Sequence, residues 1–188
     1  MSSNPSIRPR FRPVPYGLAF VELLVVLAIV AIVMGLALPS FGNLFRSAAR
    51  TSTVNDFMHA IFLARSQAIM LNGVVSICRS TDGETCDDKA MGWDRGWIVF
   101  HNLDRDQPAN RDDGEPLVHR HAGSEVMSIT SNRLSFSFRP TNQADVNGTI
   151  IFCDPRGTNA DGRAIVISHT GRPRVSKRDG SNKPLSCV

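Results

Sequence analysis

The sequence predicts an α+β protein in which one long N-terminal helix packs on an antiparallel β-sheet domain. Three observations lead there. Leu18 to Leu38 is a run of 21 residues with a single charge, Glu22. Beyond it an apolar stripe at helical spacing continues to Leu71. After Asn72-Gly73 the helical period stops, and short β-prone runs alternate with turn signals to the C-terminus. With 188 residues the chain has room for one globular domain and an appendage.

Residues 1–17 carry Pro5, Pro9, Pro13 and Pro15, which rule out a regular helix and mark a basic targeting segment that is removed. Residues 18–38 form the transmembrane half of the helix. At 1.5 Å per residue, 21 helical residues cross a hydrocarbon core of about 30 Å. Arg8, Arg10 and Arg12 precede the run with no acidic residue, so the N-terminus stays cytoplasmic and everything after Pro39 is carried across. The run is too long for a secretory h-region, and no small-x-small cleavage site follows it, so the segment is expected to stay as a single-pass anchor.

Residues 39–72 form the amphipathic half. Leu44, Ala48, Val54, Met58, Ile61, Phe62, Ala68 and Ile69 recur at spacings of three, four and their combinations, with Arg46, Arg50, Asp56 and Arg65 between them. Asn72-Gly73 supplies a left-handed stop. Together the halves make a helix about 80 Å long, kinked at Pro39 and loosened at Gly35. Residues 73–188 form the β domain with a basic tail. Strands are expected at 74–78, 96–101, 116–121, 134–138, 149–153 and 163–169. Asp82-Gly83, Asp113-Gly114, Asn147-Gly148 and Asp161-Gly162 supply positive-φ residues for the turns.

Four cysteines in an exported domain indicate disulfides, for which three pairings exist. Cys78 and Cys86 bracket a Ser-Thr-Asp-Gly-Glu-Thr turn, which favours a local bridge and leaves Cys153–Cys187 as a clasp on the tail. No closely spaced Cys-x-x-Cys or Cys/His pair suggests zinc. The acidic stretch from Asp104 to Glu115 lacks the spacing of an EF-hand and reads as a solvated loop. His119 and His121 alternate on one strand but have no further ligands, so no metal or other cofactor is assigned. No nucleophile elbow, phosphate loop or metal-base motif frames a catalytic residue, and an enzyme is not expected.

Gly17-Leu18-Ala19-Phe20-Val21-Glu22, running into the apolar block and on to Pro39-Ser40-Phe41, resembles the processing site and N-terminal core of type IV prepilins and pseudopilins. The resemblance implies cleavage by prepilin peptidase after Gly17 and N-methylation of Leu18. It also implies a helix-kinking Pro39, and a Glu22 that meets the N-terminal amine of a neighbouring subunit during assembly. Physical chemistry agrees on the last point, because a carboxylate in hydrocarbon costs a few kcal/mol and needs a partner. Leu18 and Ala19 stand where phenylalanine and threonine are commoner.

Ala64-Arg65-Ser66-Gln67-Ala68-Ile69, Ser76-Ile77-Cys78-Arg79-Ser80, Trp93 with Gly96-Trp97-Ile98-Val99-Phe100, and Gly171-Arg172-Pro173-Arg174 are similar, in this order, to the GspH/FimT family of minor pilins and minor pseudopilins. That resemblance implies a non-catalytic subunit anchored in the inner membrane, with its globular domain in the periplasm. Its partners would be other minor and major pilins or pseudopilins. It leaves open a type IV pilus or a type II secretion system. The Gly-Arg-x-Arg element resembles one associated with DNA binding during natural transformation. From Pro155 onward seven Lys/Arg face two Asp, and guanidinium groups contact phosphates without reading bases. Arg172 and Arg174 are the expected core of a double-stranded DNA contact, with Arg163, Lys177 and Arg178 in support.

Overall fold

The computed structural model describes residues 16–87, 92–124, 126–141, 147–156 and 161–187; within its helix the side chains of residues 16–19, 36–41 and 43 lie outside the description. The chain divides into two compact units, Met1–Leu44 and Phe45–Val188. One helix, α1 (Tyr16–Leu71), runs from the first into the second. It begins at the residue after Pro15, the last proline of the leader, so Tyr16 and Gly17 are helical where an irregular segment was expected.

In the first unit the large apolar side chains from Phe20 to Met34 are exposed, from 40% at Val30 to 63% at Phe20 and Ile32, and Glu22 is exposed among them. Among the described residues no helix is long and apolar enough to cross a membrane. The expected span, residues 18–38, includes residues 18, 19 and 36–38, whose side chains lie outside the description. Leu18 and Pro39, the residues expected to be N-methylated and to kink the helix, are among those whose side chains lie outside the description.

The second unit begins with the amphipathic end of α1. Its buried face is Arg50, Thr53, Val54, Phe57, Ala60, Ile61, Ala64 and Ala68, one stripe in which each residue has another three or four positions away. The expected stripe is only partly right. Val54, Ile61 and Ala68 are buried, whereas Leu44, Phe62 and Ile69 are more than half exposed and Ala48 is exposed too. At about 100° per residue these lie roughly a third of a turn or more away from Phe57. Bulky residues drew the expected stripe off axis, while the true face is built from three alanines around one phenylalanine. The helix ends as expected: Asn72 takes φ 50°, and the Gly73 amide donates to the Ala68 carbonyl at 3.1 Å.

Among the described residues eight strands follow: β1 (Val74–Arg79), β2 (Gly96–Asn102), β3 (Leu117–Ala122), β4 (Ser128–Ser131), β5 (Ser135–Phe138), β6 (Gly148–Cys153), β7 (Arg163–Ile167) and β8 (Pro173–Ser176). They form two antiparallel four-stranded sheets, ordered β3-β2-β1-β5 and β4-β6-β7-β8, so the expected single sheet is divided. The chain changes sheet between β3 and β4, β4 and β5, and β5 and β6. Both sheets contribute to one core under α1, through Val75, Ile77, Trp97 and Phe136 on one side and Ile129, Ile150, Phe152 and Ile165 on the other.

The second face of the first sheet is covered by loop rather than helix. Cys78, Ile98, Phe100 and Ala109 pack there. The Ser76 and Ser137 hydroxyls meet at 2.8 Å, and Gln107 and Asn102 donate to them. Gly96 has φ 130°, and a Cβ on it would lie 2.6 Å from the His121 carbonyl oxygen, so only glycine lets β3 approach β2 at that point. Of the expected turn glycines, Gly83 and Gly114 do take positive φ. Gly148 does not. It opens β6, where a Cβ would meet the Asn132, Arg133 and Phe136 side chains within 3.0 Å.

Candidate functional site

The tail is positioned by a knot at the β7–β8 turn. The Ser168 amide donates to the Arg172 carbonyl at 3.1 Å, the Gly171 amide donates to the Ser168 carbonyl at 2.8 Å, and Gly171 supplies φ 71°. The Arg172 amide in turn donates to the Ser168 hydroxyl. This closes β7 at Ile167, two residues before the expected end. Pro173 then opens β8 on the free edge of the sheet, where a missing N–H has no ladder partner to lose.

Arg172, Arg174, Lys177, Arg178 and Lys183 are all exposed. Arg174 pairs across the ladder with Val166 and lines a groove of about 730 Å³ with Thr130, Ser131, Thr149 and Asp179. Among the described residues no carboxylate forms an ion pair with Arg172, Arg174 or Lys177. The two other expected contributors are partly used inside the fold. Arg178 Nη1 donates to the Asn182 carbonyl at 2.9 Å, and Arg163 Nη1 donates to the Gly162 carbonyl at 2.8 Å. Arg163 stands at the end of β7 away from Arg172, beside the Ala164–Ser176 pair, so it flanks Lys177 rather than the arginine pair.

Beyond β8 the chain turns back on the outer face of this sheet. Asp179 Oδ1 accepts the Ser181 and Lys183 amides at 2.9 and 2.7 Å, and Gly180 lies so close that a Cβ would stand 2.9 Å from Thr149 Oγ1. Leu185 is buried, and Cys187 is bonded to Cys153 at the end of β6. The second disulfide joins Cys78 and Cys86. Both expected pairings are therefore present. The bracketed turn is held by Asp82, whose carboxylate accepts from the Glu84 and Thr85 amides and the Thr85 hydroxyl; these bonds hold it well below the usual carboxylate range.

The acidic loop is mostly exposed, as expected, but two of its carboxylates brace it from within. Buried Glu115 accepts the Leu103 and Asp112 amides, and Asp106 accepts from Asn102 and the Asn110 amide. Desolvation raises the Asp106 pKa. Among the described residues no group of three or more His, Cys, Asp or Glu is arranged to hold a metal ion. His119 and His121 do share a face of β3, as their alternation predicted, and that face looks toward α1.

Residues 53–171 match the family described as type II transport protein GspH, which is more than half of the chain. The chain belongs to the GspH family. The matched stretch runs from the buried face of α1 to the glycine of the β7–β8 turn. Two crystal structures of the type IV minor pilin FimU from Pseudomonas aeruginosa strain PAO1 share the fold of this GspH-family chain. The form in space group P65 has a TM-score of 0.51 at 16% identity, covering 70% of this chain and 98% of the FimU chain. The form in space group P21 has a TM-score of 0.54 at 16% identity, covering 72% and 95%. A comparison with curated proteins found no match.

Proposed function

We propose that this chain is a non-catalytic minor pilin of a type IV pilus, cleaved by prepilin peptidase after Gly17, methylated on Leu18 and anchored in the inner membrane until it joins the fibre. The observation that carries the reading is the first half of α1. From Phe20 to Met34 it offers large apolar side chains on every side with Glu22 among them, which suits burial among other helices and not solvent. In this reading Glu22 neutralises the N-terminal amine of a neighbouring pilin as the fibre starts. Glu22→Ala should leave membrane insertion intact and strongly reduce the amount of the chain in sheared fibres. Normal incorporation would remove the charge-neutralisation step.

The finer part of the reading is capture of DNA by the edge of the second sheet. Arg172 and Arg174 stand on a fixed turn and edge strand with no carboxylate partner, a geometry that suits contact with phosphates and carries no base readout. The whole chain in detergent micelles should bind duplex DNA in a salt-dependent manner. Arg172→Ala/Arg174→Ala should weaken binding and lower the slope of log affinity against log salt by about 2. Absence of binding at low salt would leave the pilin reading and remove DNA. The family description favours one alternative, a minor pseudopilin of a type II secretion system, in which the same edge contacts another protein.

A further inference from the structure

The seam between α1 and β3 gathers three histidines and one carboxylate. His59 and His119 meet edge to face, with ring centroids 6.0 Å apart and planes at 79°. His121, two residues along β3, lies 3.6 Å from Asp56 through Nε2 and stacks on Trp97 at 3.9 Å with the planes 2° apart. The Nδ1 atom of His121 and the indole nitrogen of Trp97 are both buried without a hydrogen-bond partner. β3 is the edge strand of its sheet, bonded only to β2, with a register shift between Val99 and Phe100. An edge strand with one ladder is held largely by what its side chains meet, and here they meet titratable groups.

We propose that His119, packed between His59 of α1 and His121 of β3, is an acid-responsive latch that fastens β3 to α1 while its ring is neutral and loosens it when the ring is charged. The charges around His119 are few and nameable. From α1 come His59 and Asp56; from β3 comes His121; β2 presents Trp97 and, further along the same face, His101. Arg120 points to the opposite face and pairs with Glu84 at 2.7 Å, which fixes β3 to the disulfide-bracketed loop and takes no part in the seam. The one carboxylate in the seam, Asp56, faces His121 at 3.6 Å and leaves a charge on His119 poorly compensated.

The sign of the effect follows from the same geometry. Burial, then His59 and then His121 lower the His119 pKa, and Asp56 opposes them. The unfolded chain therefore takes up this proton at a higher pH than the folded one. The contribution of His119 is complete above its ordinary value of about 6.5 and is lost as pH falls from there through the lowered folded value. The latch opens in mild acid and closes again at neutrality.

The test uses the whole chain in detergent micelles, titrated from neutral pH downward. Two readouts are followed: fluorescence of the two tryptophans, because Trp97 stacks on His121, and amide exchange of β3 corrected for the intrinsic pH dependence. Acid should change the fluorescence in a transition below the ordinary histidine range and speed β3 exchange more than β1 exchange. His59→Gln, at an exposed position that leaves β3 intact, should move the midpoint up by removing a like charge, and Asp56→Asn should move it down. A midpoint that ignores both substitutions, or β3 exchange that responds to acid no more than β1 exchange, overturns the proposal.

Discussion

Phe57 is the side chain on which the core turns. Its ring meets Trp93, Trp97, Phe136 and Phe152 edge to face, at centroid distances of 5.6, 5.1, 6.3 and 6.0 Å. Those partners come from the short turn before β2, from β2 itself, from β5 and from β6, so one helix residue ties both sheets together. Phe57→Ala should cost about 3–5 kcal/mol, read as a lower denaturant midpoint. Phe62→Ala, a turn further along at an exposed position, should change stability by less than about 0.5 kcal/mol. The pair separates the true buried face from the one that bulk alone suggests. Reading Val54, Ile61 and Ala68 was enough to place the stripe approximately. Phe57 and the alanines at 60 and 64 were legible only by holding strictly to the three- and four-residue steps.

Among the elements, those with several apolar residues were legible, the edge strands β3 and β5 included, and those with a single apolar residue were not. β1, β2, β3, β5, β6 and β7 were all found, some with ends shifted by a residue or two. β4 and β8 were missed, and they are the two edges of the second sheet. Ser-Ile-Thr-Ser and Pro-Arg-Val-Ser each hold one apolar residue, because an edge strand facing water on one side has little to bury. The division into two sheets was hidden for the same reason, since the chain's changes of sheet are set by which edge is free. In the candidate site the basic residues and the cysteines were legible, whereas the use of Arg163 and Arg178 as internal donors depends on turns that only the fold creates. The clasp between Cys153 and Cys187 closes 34 residues of sequence, and opening it should cost about 3 kcal/mol. Cys153→Ser/Cys187→Ser should make the segment after β8 the first site of proteolysis, with β1 to β3 still protected. A tail that stays resistant would show that Leu185 and the Asp179 turn suffice to hold it.

At the scale of the whole molecule the two units differ in what they bury. The residues of Phe45–Val188 close a core of their own under α1, and both disulfides lie within that unit. A chain beginning at Phe45 should therefore unfold cooperatively in denaturant, with one transition by fluorescence and by circular dichroism. Two separated transitions would mean that the earlier helix completes the core. The family match ends at Gly171, so Arg172 and everything after it lie outside the shared stretch, as do the exposed apolar residues of the early helix. Both parts of the proposed function rest on these flanking segments.

The order of the cysteines along the chain has a further consequence, for how the protein acquires its bridges. The pairing is consecutive, first with second and third with fourth. A chain delivered N-terminus first presents Cys78 and Cys86 to an oxidant before either later thiol has emerged, and their bridge consumes both. Only one partner then remains for Cys153. Of the three connectivities that four cysteines allow, arrival in this order favours the native one.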